Sequence, residues 1–264
     1  MDNEKRTLNF LHSGDMGDMI AGLYAVRTIC EQLGAKANLL LDTNGGKHEP
    51  LILRQSHGQG LKFNDSSYEF LKPLLEAQSF ISGVAKWSPS DPIQIDYDLN
   101  QFRKIFFKRE LLQATNQNLL YSHQVVLGQK MECNGPWLDP IDVPVKRKIL
   151  LARSNRYHSS DQMYLIQRDK PSMSFMGTDL EASCFRDCTR MEVPRVVISN
   201  ALDAAKEIAA SEQFLVNGTL FYWIALGIGH KNIWHELGED IPTTFFKNGA
   251  DLHTKYCVGA HFVR

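Results

Sequence analysis

The sequence predicts an α/β fold made of two parallel-sheet halves that face a central cleft, and three observations predict it. An apolar run at 8–12, a Gly-rich turn at 13–18, a helical apolar pattern and a second apolar run at 38–41 make a βαβ unit, the unit that builds parallel sheets. The same alternation of strand and helix restarts after residue 148. Between the two stretches, residues 134–147 carry Pro136, Pro140 and Pro144 and run into Lys146, Arg147 and Lys148, the composition of a linker. The chain is therefore divided into an amino-terminal domain, 1–143, and a carboxyl-terminal domain, 144–264.

In the first half, Met19, Ile20, Leu23, Tyr24, Val26, Ile29, Cys30 and Leu33 recur at helical spacing, and Gly34 ends the helix. Residues 43–62, rich in Gly, His, Asn and Gln, read as a long loop. A helix follows at 66–77 with Ser66 or Ser67 as its N-cap, then a strand at 80–87 and a helix at 99–112. Arg103, Lys104, Lys108 and Arg109 give that helix a basic face, which reads as solvated surface. In the second half, strands are expected at 149–152, 174–176, 196–198, 214–216 and 232–234, with helices at 202–210 and 220–226.

Composition narrows the function. The chain has 264 residues, 43% of them apolar, and a net charge of -1, which does not suit the phosphate-driven binding of nucleic acid. Five scattered cysteines, Cys30, Cys133, Cys184, Cys188 and Cys257, do not form a disulfide framework, and the polar amino terminus has no apolar leader. Both point to a reducing, cytoplasmic compartment. No segment approaches the roughly 20 apolar residues of a membrane span.

Four places carry candidate chemistry. Gly14 and Gly17 let the backbone approach a ligand between strand and helix. Asp15 and Asp18 stand beside them at the carboxyl edge of a sheet, where ligands bind in open α/β folds. Either acid caps the helix or takes a proton from a hydroxyl. In the loop after the strand at 149–152, Arg153, Asn155 and Arg156 offer donors suited to phosphate, or are solvated surface. Asn217, Gly218 and Thr219 precede a helix start, which is both capping and anion-binding geometry. Glu236, past the strand at 232–234, suits ribose hydroxyls or is an exposed side chain. His230 and His235 are not read as metal ligands, and no metal site is assigned.

The segment HSGDMGDMIAGLYAVRTI, residues 12–29, resembles the amino-terminal motif of heptosyltransferase-like glycosyltransferases, family 9 of the GT-B type. ILLARSNRYH (149–158), FMGTDLEASCF (175–185) and the stretch 202–236 are similar to that family's nucleotide-binding half. The resemblance implies two Rossmann-like domains and transfer of a sugar from a nucleoside diphosphate sugar, without a metal or other cofactor. It implies Asp18 as base, aligned through Met16-Gly17-Asp18, leaves Asp15 unassigned, and gives Gly218 and Thr219 the donor diphosphate. It also implies an acidic loop after the strand that ends at Gly177. The turn here reads Asn-Gly-Thr rather than Asp-Thr-Gly, so the donor is not carried over as ADP-heptose. The acceptor is open: a glycan hydroxyl or a hydroxymethylated DNA base. Two other classes stand beside transfer: a non-catalytic nucleotide-sugar-binding protein, and an epimerase or hydrolase of the same fold.

Overall fold

The computed structural model describes residues 6–44, 63–108, 110–111, 115, 118–154, 172–237 and 254–258. The first sheet begins with β1 (Thr7–His12), which buries Leu8, Phe10 and His12 on alternate positions. Helix α1 (Met16–Leu33) ends where Gly34 takes a left-handed φ of 60°, a conformation that penalises any side chain. β2 (Lys36–Leu41) then pairs with β1 in parallel. Helix α2 (Asp65–Glu76), β3 (Ile81–Lys86) and β4 (Tyr97–Asp98) complete this lobe. The strand order is β3-β2-β1-β4, with every pair parallel. The cap of α2 is Asn64, whose Oδ1 accepts the Ser67 amide at 2.9 Å, rather than either expected serine. Most of the expected long loop, 45–62, lies outside the described residues.

The helix expected at 99–112 is instead a 3-10 helix, Leu99–Phe107. Its buried side chains Leu99, Phe102 and Ile105 are spaced by three, which is the repeat of the tighter helix. Asp98 closes its first turn by accepting the Asn100 amide at 3.0 Å. Helix α3 (Leu119–Val126) follows, with the Asn118 side chain capping two amides.

The second lobe is a parallel six-stranded sheet in the order β10-β9-β8-β5-β6-β7. Its elements are β5 (Arg147–Ala152), β6 (Met173–Met176), α4 (Asp179–Thr189), β7 (Arg195–Val196), α5 (Ala201–Ala209), β8 (Ser211–Asn217), α6 (Leu220–Gly227), β9 (Ile233–Leu237) and β10 (Thr254–Val258). Where the resemblance implied an acidic loop after Gly177, there is α4. Thr178 and Glu181 make a reciprocal capping box at its start, and this stabilises a helix despite the polar sequence.

The linker is anchored rather than loose. Trp137 and Leu138 are buried, and both amides donate to the Gly227 carbonyl at the end of α6. The Trp137 indole donates to the Ile20 carbonyl of α1 at 2.8 Å. Arg27 of α1 reaches the Trp137 carbonyl and Asp139, and Asp139 also accepts the Ser79 amide. One apolar cluster runs through both lobes, joining Met19, Ile20 and Leu23 to Trp137, Trp223 and Ala204. Among the described residues, no helix is long and apolar enough to cross a membrane, and Cys30 and Cys133 are free thiols.

Candidate functional site

At the carboxyl end of β1 the chain turns through Gly14 into α1. Asp15 is the N-cap, and the Asp18 carboxylate accepts its amide at 3.3 Å. Asp18 therefore serves the helix start, as capping predicts. It also does more: Arg103 Nη2, on the 3-10 helix, donates to the same oxygen, Oδ2, at 3.2 Å. The pair is shielded, with the Asp18 side chain 14% and the Arg103 side chain 28% exposed. A Cβ on Gly14 would lie 2.6 Å from Arg103 Nη2, 2.7 Å from His12 Cε1 and 3.0 Å from Asp18 Oδ2. Glycine is needed here for close approach. Ser13 fastens the 3-10 helix to the turn, its amide and hydroxyl both donating to Asn100 Oδ1 at 2.9 and 3.0 Å. His12, fully buried below, is pushed down to about 3 by burial and then by the Arg103 charge, so it is neutral.

In the second lobe the ends of β5, β8 and β9 carry the other candidates. Arg153 and Glu236 grip each other through two hydrogen bonds, Nε to Oε2 at 2.7 Å and Nη2 to Oε1 at 2.9 Å. Their side chains are only 7% and 3% exposed. This is a fork-to-carboxylate pair in a shielded place, and it fixes both groups at the strand ends. Asn217 joins β8 to β5: its Oδ1 accepts the Ser154 amide at 3.1 Å and its Nδ2 donates to the Ser154 carbonyl at 2.7 Å. The Asn217 side chain thus builds the turn, and what the turn presents is backbone. Thr219 is the N-cap of α6, yet its hydroxyl makes no capping bond. That Oγ1 is buried and has no hydrogen-bond partner, an uncommon state for a buried polar atom. Asn155 and Arg156 lie outside the described residues.

The two edges meet. A Cβ on Gly17 would lie 3.3 Å from Trp223 Cδ1 and 3.7 Å from both N and Cα of Leu220. The starts of α1 and α6 therefore abut across the lobes, and Asp18 and Thr219 are each the chain neighbour of a residue in that contact. The free amides of a helix start are suited to anions. Arg103 is the residue that sequence reasoning passed over. It was read as one charge of a solvated face, and nothing local marks it, because its partner Asp18 is 85 positions away. Among the described residues, no three His, Cys, Asp or Glu side chains are grouped as metal ligands.

No family model matches the sequence, and no curated protein matches it. Solved structures do match in fold. The glycosyl transferase family 9 structure from Veillonella parvula DSM 2008 superposes with a TM-score of 0.53 over 98% of this chain and 87% of that chain, at 10% identity. The chain thus has the two-lobed GT-B fold of such transferases. It is also similar in fold to E. coli heptosyltransferase WaaC with ADP, at a TM-score of 0.51 and 9% identity, over 96% of this chain and 93% of that one.

Proposed function

We propose that the protein transfers a sugar from a nucleoside diphosphate sugar to an acceptor hydroxyl, with Asp18 as general base. The observation that carries this reading is the contact of Gly17 with Leu220 and Trp223. It supports the reading because the turn that carries Asp18 lies beside the start of α6.

The chemistry follows from the charges. In the transfer step the acceptor oxygen bonds to the anomeric carbon, the bond from that carbon to the diphosphate oxygen breaks, and the hydroxyl proton passes to Asp18. The leaving diphosphate gains charge and needs preorganised positive dipoles. The amides at the start of α6, including the Gly218-Thr219 turn, are suited to supply them. The unpartnered Thr219 hydroxyl is suited to donate to a phosphate oxygen. Arg153 acts from within its pair with Glu236: two of its N–H groups are committed to that carboxylate, which keeps the guanidinium turned to the strand ends. In this reading the helix dipoles and Arg153 replace the metal ion that other transferases use. Protein stripped with EDTA should accordingly keep its activity.

The test starts from binding. A thermal-shift panel of nucleoside diphosphates and their sugars should find a ligand that stabilises the chain by about 2.7 kcal/mol at 100 times its Kd. Asp18→Asn should keep that shift and lower transfer by a factor of about 100 or more. Transfer undiminished in Asp18→Asn removes the base from the proposal. Binding without turnover across glycan and DNA acceptors favours a binding protein, and altered donor without transfer favours an epimerase or hydrolase.

A further inference from the structure

We propose that Arg103 is the positioning residue for Asp18, and that Phe102 and His123 exist at their positions to hold Arg103 there. The inference rests on the reading of Asp18 as base and deepens it.

Four observations build it. Arg103 Nη2 and the Asp15 amide both donate to Oδ2 of Asp18, at 3.2 and 3.3 Å. Two donors from different elements on one oxygen fix the rotation of a carboxylate about its χ angles, and orientation of a base is worth rate. The Arg103 guanidinium carbon lies 5.0 Å from the centre of the Phe102 ring, a cation-π distance. The Phe102 ring lies 4.3 Å from the fully buried His123 ring. His123 rests on α1 at Gly22, where a Cβ would lie 3.2 Å from its Cε1. The chain of contacts leaves α1 at Gly22 and returns to α1 at Asp18, one helical turn earlier.

The charges around the pair agree with a fixed rather than a competing role. His12 and His123 face Arg103 from β1 and α3, and burial pushes both down to about 3, so neither adds a second cation. The anions nearby are Asp15 on the same turn and Asp98 at the end of β4. Arg103 thus holds the Asp18 carboxylate from the side of the 3-10 helix while the Asp15 amide holds it from the helix start. Both donors act on Oδ2, which leaves Oδ1 as the oxygen that would take the proton.

The experiment follows release of nucleoside diphosphate from UDP-glucose, UDP-N-acetylglucosamine, GDP-mannose and ADP-glucose, with water as the acceptor. Water oxygen bonds to the anomeric carbon, the bond from that carbon to the diphosphate breaks, and the water proton goes to Asp18. For whichever donor the wild type turns over, Arg103→Met should lower kcat at least tenfold, with KM for the donor within twofold. Arg103→Lys should recover much of the loss, since it restores the charge and one donor. Phe102→Leu should fall between Arg103→Met and the wild type. Circular dichroism and melting of each variant separate lost folding from lost positioning. An unchanged or raised kcat in Arg103→Met, or a loss confined to KM, overturns the proposal. Asp18→Asn measured beside it tells the two readings apart: a wild-type rate there removes the base itself, whereas a collapsed rate beside an unchanged Arg103→Met removes only the positioning role. A wild type that turns over none of the four donors overturns both.

Discussion

Removing the Glu236 carboxylate should be among the most damaging single changes in the second lobe. Glu236→Ala removes both hydrogen bonds from the Arg153 guanidinium in a site where its side chain is 7% exposed. Opposite charges about 4 Å apart attract by about 4 kcal/mol at an effective dielectric near 20. Breaking a buried pair from one side costs about 3–5 kcal/mol because the remaining ion is stranded. The double variant Arg153→Met with Glu236→Leu strands nothing and should regain most of that loss. Urea unfolding of the wild type, both single variants and the double variant closes a mutant cycle, which should return a coupling of at least about 2 kcal/mol. A coupling below about 0.5 kcal/mol would mean that the pair is as weak as an exposed one. The description of Arg153 as fixed at the strand ends would then be wrong. The cycle also bears on ligand binding, since a diphosphate that pulled Arg153 away from Glu236 would lose affinity by the coupling measured.

Three further outcomes are expected. Gly14→Ala should cost about 1–3 kcal/mol in chemical unfolding, because its Cβ would lie 2.7 Å from the ring of buried His12. It should also part Arg103 from Asp18, so the variant should reproduce the kinetic loss of Arg103→Met. Stability should fall steeply on acidification. His12, His123 and His235 are held neutral by burial at about 3, whereas unfolded histidines bind protons near 6.5. Between these values the unfolded chain holds more protons. Unfolding free energy should therefore be steady above about pH 7 and drop by up to about 4 kcal/mol per pH unit near pH 5. His235→Phe should remove about a third of that slope, and a flat profile from pH 7 to 5 would contradict the burial of these rings. Gly227→Ala should destabilise by about 1–2 kcal/mol despite its better helix propensity, since its Cβ would lie 2.7 Å from Leu138. Adding Leu138→Ala should make the glycine change nearly neutral in the same assay.

What the residues disclosed in advance was local. The βαβ unit at the start was legible because the apolar spacing changes from strand to helix and back within 34 residues, between Leu8 and Leu41. The Asn217-Gly218-Thr219 turn before α6 was legible for the same reason. Helix α4 was hidden by its polar composition, although Thr178 and Glu181 carried the spacing of a capping box. The 3-10 helix was hidden because an apolar repeat of three also fits the wider helix over two turns. Pairings between distant residues left no local trace. Arg103 finds Asp18, and Arg153 finds Glu236 83 positions away, only once the sheets are assembled. Proline and charge single out the segment near Trp137, which in chain order runs between the strands of the two sheets. They did not show that the segment is buried, because burial of a lone tryptophan is decided by the helices that close over it.

That tryptophan governs what kind of motion the molecule has. Trp137 and Trp223 lie at the waist where α1 meets α6, with ring centres 6.5 Å apart, and each is about 1% exposed. Hiding one such ring removes roughly 200 Å² from water, about 5 kcal/mol. Prising the halves apart there would wet both rings, at a cost on the order of 10 kcal/mol, and by the tenfold-per-1.4 kcal/mol rule only about one molecule in ten million would gape at any moment. The waist between the halves therefore behaves as a closed axle.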